Sequence, residues 1–386
     1  MSCQNMQHQW KKYKDGTLTD AEIEELERHT EECDECMNYL QNLLDEEEIQ
    51  PVTASSTFDH EKAKRSMIRA KWRQRFTNVL TVLSAITLLW LGGSFLSVIY
   101  YSFTHKSEYL RTVDKAAIES ALPNVYVQNS KTEAKPFFRL QNEYTLYKEV
   151  GHEQKSVGQY TFHHLFERVT NVDKNFLNDH YNMKLSFAYP ERVKQEKDPS
   201  FYQDWSNETW GALDQLPEGT VSEVALSFDQ AYTMEEIEEK LSSTLSSDIS
   251  PVWYALDTGY ETKGSDTSNP LVDLTSSFGF PSMLELPYYE EKETFTDEER
   301  VVQMLKVLAD NERTVQQIRW MNPDDLQLMN RYKFVKKNGV RIYGIVLTGP
   351  TKELLKLKNE PSITYSSLGE VELWNWFTRP TQGTLH

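Results

Sequence analysis

The chain has 386 residues, with 59 acidic against 41 basic side chains, a formal net charge of -18 and a pI near 5.0. That sign excludes broad nucleic-acid binding, which needs cations to displace counterions from phosphates, so no direct nucleic-acid contact is expected. Aromatic residues at 12% exclude a disordered polymer, and the length allows two or three domains. The charge is segregated: residues 1–50 hold 4 basic and 14 acidic side chains, residues 51–75 hold 7 and 2, and the remaining 311 hold 30 and 43.

The spacing predicts a first helix over 6–14 with Trp10 and Tyr13 on an apolar stripe. Asp15-Gly16 supplies a left-handed turn, Thr19 with Glu22 forms a capping box, and Ile23 and Leu26 continue the stripe on a second helix. A third helix is expected from about Glu32 to Glu47, carrying Tyr39, Leu40, Leu43 and Leu44. Across the junction runs His29-Thr-Glu-Glu-Cys33-Asp-Glu-Cys36. At about 100° per residue, offsets of four and seven put the imidazole and both thiols within about 60° on one helical face, where they can converge on a tetrahedral ion. A closed site needs a fourth ligand, and Cys3 on the preceding helix is the first candidate, His8 the second. A CxxC pair also serves redox chemistry. The histidine one turn ahead, the upstream cysteine and the lack of any other cysteine favour one zinc ion, structural or redox-sensitive. Some 50 residues bury little core, so a metal staple is physically reasonable.

Next comes a basic collar of Lys62, Lys64, Arg65, Arg69, Lys71, Arg73 and Arg75. Residues 76–104 are 29 consecutive uncharged residues, about 43 Å of helix against a hydrocarbon core of about 30 Å. Within 79–101, sixteen of 23 residues are apolar. A cleavable signal peptide does not fit, because the apolar run begins about 75 residues in. A single transmembrane helix is expected. The collar, against only Lys106 and Arg111 near the far end, puts the N-terminal segment in the cytoplasm and residues 106–386 outside the cell membrane. Trp72 on one side and Tyr100, Tyr101 and Phe103 on the other suit two aromatic belts. All three cysteines lie before the span, where thiols stay reduced, and none lies after it. Gly93-xxx-Ser97 is a small-xxx-small pair that permits close helix contact.

Beyond the span, a helix is expected over 108–122, then strands at 125–128, 137–140, 144–148 and 159–164. A clearer pattern follows: strand 221–228, helix 233–242 capped by Thr233 with Glu236, and strand 252–257. It returns as strand 340–347, helix 351–357 and strand 363–373, with helices at 296–312 and 324–337 between. Two βαβ-like units around inserted helices suggest an α+β region with a largely antiparallel sheet. Asp257-Thr258-Gly259 matches the aspartic-protease triplet, with Asp266-Thr267-Ser268 nine residues on. A dyad needs aspartates from opposed loops, so a turn is the better reading. His163-His164 is expected to alternate across a strand. With no catalytic constellation, an enzyme is not expected.

The run Trp10-Lys-Lys-Tyr13-Lys-Asp-Gly16-Thr-Leu18, the acidic second helix and HxxxCxxC together resemble the zinc-binding anti-sigma factors of bacteria. The region beyond the span resembles the sigma-factor-regulator domains of bacilli. The resemblance implies that the metal motif begins a helix and that the fourth ligand maps onto Cys3. It also implies a three-helix domain wedged between the DNA-binding domains of an extracytoplasmic-function sigma factor, and a small membrane protein as a further partner. Trp10, Tyr13, Leu26, Tyr39 and Leu43 are the apolar residues expected to meet the sigma factor. The expected organisation is multi-domain: a small all-α zinc-stapled domain (1–50), a basic juxtamembrane segment (51–75), one transmembrane helix (76–104), a membrane-proximal extracytoplasmic region (105–220) and an α+β sensor domain (221–386). The rival reading is a single-pass receptor or scaffold whose zinc domain binds another cytoplasmic protein.

Overall fold

The computed structural model describes residues 3–15, 17–45, 60–177, 185–242, 246–261, 271–272, 277–290, 294–319 and 323–373. The chain forms two compact units, Met1–Thr81 and Val82–His386.

The first unit opens with α1 (Cys3–Lys14), α2 (Asp20–Glu32) and α3 (Asp34–Asp45). Helix α1 starts three residues earlier than the apolar stripe suggests, which makes Cys3 a helical residue. Thr19 caps α2: its N–H donates to Glu22 Oε2 at 3.0 Å and its hydroxyl donates to the same oxygen at 2.7 Å. The expectation that the HxxxCxxC ligands share one helical face is wrong. The helix breaks at Cys33, whose φ of -128° and ψ of 107° are extended. Among the described residues of these helices, Leu26 and Cys36 are the fully buried apolar side chains, with Cys3, Trp10, Leu18 and Cys33 packed partly buried around them.

Helix α4 (His60–Phe103) makes the basic collar and the apolar run one continuous 44-residue helix, about 66 Å long. Residues 51–59 lie outside the described residues. The stretch Met67–Phe103 is long and apolar enough to cross a membrane. Apart from Tyr100 and Tyr101, its large apolar side chains are exposed, as lipid contact requires.

In the second unit, Thr104 and a left-handed His105 (φ 54°) turn the chain into α5 (Lys106–Ala121). Four antiparallel strands follow in simple order: β1 (Val125–Lys135), β2 (Arg139–Val150), β3 (Glu153–Leu165) and β4 (Arg168–Phe176). The first half of the strand expected at 137–140 is instead the β1–β2 turn, its second half opens β2, and 144–148 is the middle of that same twelve-residue strand. Periodicity failed there because Phe137 and Phe138 look like strand residues but occupy left-handed backbone. Next come α6 (Pro190–Gln195), α7 (Ser200–Gln215), β5 (Thr220–Tyr232), α8 (Met234–Leu241) and β6 (Ser250–Leu256). A long insertion holds β7 (Gly279–Pro281), α9 (Pro287–Glu290), α10 (Asp297–Asp310), α11 (Glu312–Ile318), α12 (Pro323–Leu326) and α13 (Leu328–Asn338). The chain closes with β8 (Ile342–Pro350), α14 (Thr351–Leu354) with a 3-10 turn, and β9 (Ile363–Leu373). The second sheet runs β7-β6-β8-β5-β9 and every pairing is antiparallel. Strand β8 separates β5 from β6, and β5 separates β8 from β9. These are two split βαβ units in ferredoxin-like order, with the insertion between β6 and β8 and β7 added at the edge.

Helix α5 holds the two sheets together. Its buried face packs Val113, Ala116, Ala117 and Ile118. The Glu119 carbonyl accepts from Trp253 Nε1 at 2.9 Å, and the Ser120 carbonyl from Arg319 Nη2 at 2.6 Å. Asp114 Oδ2 accepts from Asn142 Nδ2 (2.8 Å) and the Tyr144 hydroxyl (3.0 Å), with His164 Nε2 3.0 Å away. A buried ion pair, Lys148 Nζ to Glu223 Oε2 at 2.7 Å, joins β2 to β5. The stretches before and after residue 220 therefore share one core.

The hairpin tips of the first sheet grip the end of α4. Gly93, Ser97 and Tyr101 form a buried stripe at four-residue spacing. Phe137 N–H donates to Gly93 O at 3.3 Å, and Phe138 N–H to Ser97 Oγ at 2.7 Å. The Tyr101 hydroxyl donates to both the Phe138 carbonyl (2.7 Å) and the Phe166 carbonyl (3.0 Å). A Cβ on Gly93 would sit 2.9 Å from the Phe137 ring, so only glycine admits that ring. Two expectations are corrected here. The small-xxx-small pair is filled by the chain's own hairpin, and Tyr101, at 1% exposure, belongs to this clamp instead of an aromatic belt.

Glu119 carries a pH prediction. Its carboxyl is buried and accepts one bond from Val127 N–H (3.0 Å), and burial raises its pKa to about 7. The folded chain keeps this proton up to about pH 7, whereas an unfolded glutamate loses it near 4.3. The folded state thus binds more protons across that window, and stability falls as pH rises through it. Glu119→Gln keeps an oxygen acceptor and removes the titration. Thermal melts of the detergent-solubilised chain should show the variant gaining stability at pH 8 relative to pH 5, by about 3 kcal/mol. An unchanged gap between the two pH values would contradict the assignment.

Candidate metal centre

The break between α2 and α3 builds the site. Cys3 opens α1, His29 lies in the last turn of α2, Cys33 occupies the extended break, and Cys36 lies in the first turn of α3. Cys36 N–H donates to the Cys33 carbonyl at 3.1 Å and Met37 N–H to the same oxygen at 3.0 Å, which folds the CxxC loop back on itself. The ligand atoms of Cys3, His29, Cys33 and Cys36 all lie within 4.8 Å of one another, and Cys3 Sγ is 3.6 Å from Cys33 Sγ. His8 is exposed and outside the cluster, so Cys3 is the fourth member of the set.

Three observations fit a metal ion. His29 Nε2 is buried with no hydrogen-bond partner, as a ligand nitrogen awaiting an ion would be. Cys33 is held below the usual thiol range, first by the Cys36 backbone N–H and then by the Cys3 thiol. Cys3 is pushed up to about 12 mainly because its thiol donates to Cys33, and burial raises Cys36. Cys33 is thus the thiol most easily deprotonated of the three, and a bound cation would favour the thiolate form of all of them. Three sulfurs and one imidazole nitrogen suit a tetrahedral, borderline-soft cation.

The residues expected to meet a partner divide. Leu26 is 0% exposed and packs under the cysteines, so it supports the site and offers no surface. The apolar period that marks a binding stripe also marks a core, which is why the sequence could not separate them. Tyr13 is exposed at 43% and stacks edge-on against half-buried Trp10, ring centroids 5.2 Å apart. Tyr39 is half-buried, and the side chain of Leu43 lies outside the described residues. Met37, exposed at 42%, was not signalled by any motif.

Elsewhere, His163 is half-exposed against Asp173 (2.8 Å) while His164 is buried against Asp114, so the pair does alternate across β3. Asp114 was not legible as a partner because 50 residues separate it from His164. Asp257 Oδ1 accepts from Gly259 N–H (2.9 Å) and the Tyr189 hydroxyl (3.0 Å), with Gly259 at φ 74°. That is a turn. Asp266 to Ser268 lie outside the described residues.

Residues 64–155 match the sigma factor regulator N-terminal family, and residues 213–370 match the sigma factor regulator C-terminal family. Together the two matches cover well over half of the chain, and the chain belongs to the sigma factor regulators, which are regulatory proteins and not enzymes. It is 29% identical over 380 residues to the probable anti-sigma-M factor YhdL of Bacillus subtilis (strain 168), covering 94% of this chain and 97% of that protein. No solved structure matches the chain.

Metal analysis of the chain purified under reducing conditions should find one ion per chain. Cys33→Ser leaves three ligands and should lower the affinity at least about tenfold, so that a chelator strips the variant at concentrations the parent resists. Because the ligands bind deprotonated, affinity should also weaken as pH falls from 7 to 5. A metal-free chain would refute the site.

Proposed function

We propose that this chain is a membrane-anchored anti-sigma factor that sequesters an extracytoplasmic-function sigma factor through a zinc-stapled N-terminal domain, residues 1–50, and releases it on an envelope signal. The observation that carries the reading is the convergence of three thiols and an imidazole in a chain that also carries both sigma factor regulator matches. Zinc fits because it takes tetrahedral Cys₃His sets and does not change oxidation state. It acts as a staple: among the described residues the apolar centre of the three-helix domain is one buried leucine and one buried cysteine, a small core that an ion would reinforce.

The bound face follows from charge and exposure. Glu22, Glu24, Glu27, Glu31 and Glu32 are exposed on α2, a surface that suits a partner whose own face is basic because it binds promoter DNA. Tyr13 and Trp10, with Tyr39, supply apolar anchors, while Leu26 packs in the same buried cluster as Trp10. The basic collar at 62–75 sets the N-terminus in the cytoplasm and residues 106–386 outside, by the positive-inside rule. Residues 51–75 then serve as a juxtamembrane segment and residues 105–386 as the sensing region. A small membrane protein partner would meet the Gly92 side of the span, where a Cβ has nothing within 4 Å, since the Gly93 side is occupied.

The test is binding and inhibition by zinc-loaded residues 1–75. The fragment should bind a sigma factor of the same cell and block transcription in vitro without the membrane. Tyr13→Ala should weaken the complex by about tenfold or more and any single glutamate-to-glutamine change on α2 by less, since buried aromatic anchors outweigh rim charges. A fragment that retains zinc yet binds no sigma factor would favour the receptor or scaffold reading.

A further inference from the structure

We propose that the two hairpin tips of the first sheet, residues 136–138 and 166–167, are seated in the lipid leaflet at the C-terminal end of α4, with Phe137 and Phe166 in contact with lipid. This goes beyond the anti-sigma reading and requires only that α4 crosses a membrane.

The first argument is length. The tip of the β1–β2 hairpin is fixed to Gly93 by the Phe137 N–H bond of 3.3 Å. Residues 76–92 are 17 uncharged residues, about 25 Å of helix, which falls short of a hydrocarbon core of about 30 Å. A bilayer whose near edge lies at Phe76 therefore reaches past Gly93. Sliding the helix to keep Gly93 in water would drag Arg75 and Arg73 into hydrocarbon, which is costly.

The second argument is conformation. Phe137, Phe138 and Phe166 have φ of 63°, 56° and 54°, a region in which a bulky residue is a rare outlier. Glycine or asparagine would fill these turns at less cost. Three aromatic residues retained in left-handed backbone at two adjacent tips point to a use for their side chains. The use is apolar surface: Phe137 is 53% exposed and Phe166 45%, along a stretch of α4 where Phe95, Leu96, Ile99 and Phe103 are exposed as well.

The third argument is hydrogen bonding. Irregular backbone survives at membrane depth only where its peptide groups are paired within the protein. Phe137 and Phe138 donate to α4, the Phe138 and Phe166 carbonyls accept from Tyr101, and Phe166 N–H donates to the Phe138 carbonyl at 2.9 Å. The one carboxylate at the tips, Glu167, is paired with Lys106 at 2.6 Å. Exposed Lys131, Arg139 and Arg168 flank the tips, where long cationic side chains reach anionic headgroups.

The test uses the full chain in vesicles of phosphatidylglycerol and phosphatidylethanolamine. The photo-crosslinker p-benzoylphenylalanine is placed singly at Phe137, Phe166, Phe95 and His152. Position 152 lies in the β2–β3 turn, at the far end of strands about 40 Å long. Mass spectrometry should find lipid adducts at 95, 137 and 166, and at least tenfold fewer at 152. Adducts at 137 and 166 no more frequent than at 152 while 95 labels, or adducts to protein in place of lipid, would overturn the seating and leave the span intact. Failure at 95 as well would remove the span and the seating with it.

Discussion

A peptide group taken out of water must find a partner inside the protein, and that requirement ties the C-terminal unit to the end of the long helix. Ser97 meets it twice, donating to the Gly93 carbonyl at 2.8 Å and accepting from Phe138 N–H at 2.7 Å. Tyr101 meets it by sharing one proton between two carbonyls on different turns. Only Thr104 and His105 then separate α4 from α5, a reach of about 7 Å, and α5 lies in the middle of the core. Both the hydrogen-bonded hairpin tips and this short connection therefore join the sheets to α4 without a slack tether.

The interior of this unit is more polar than its strands suggest. Asp114, Glu119, His164, Lys148 and Glu223 are all buried. Each is tolerable because a donor or opposite charge faces it, and α5 supplies two of the five. Such groups reward one register and penalise its neighbours, since a one-residue slip of β2 would strip Asp114 of Asn142 and Tyr144 together. The sheets are held in register by these polar pairs as well as by apolar burial.

The N-terminal unit solves a different problem with fewer residues. Its helices are short and strongly acidic on α2, and among the described residues their buried apolar centre is only Leu26 and Cys36, beside a cluster of four possible ligands drawn from three helices and one break. Because the four side chains come from all three helices and the break, an ion bound there would join the whole domain.

Much of this was legible in the sequence, because it follows from local rules. An uncharged run too long for most cores, a basic collar, a Thr-x-x-Glu box at each of two helix starts, alternating strands and a ligand spacing all act over fewer than about thirty residues. Three of the four clustered residues, His29, Cys33 and Cys36, came from such spacing, whereas Cys3 was one of two candidates, favoured by the resemblance. Their geometry did not, because an unbroken helix and a helix broken at Cys33 have the same spacing. Whether Leu26 faces a partner or the core, whether Gly93 receives a helix or a phenylalanine, and which carboxylate stands beside His164 were decided only by tertiary structure. Each of these depends on chain segments some 10 to 50 residues apart that meet in space, and an apolar or small residue carries no mark of which neighbour will cover it. Segment by segment, the amino-acid sequence determined what each stretch can be; the packed fold decided what each side chain touches, because contact is a property of pairs that no single segment contains.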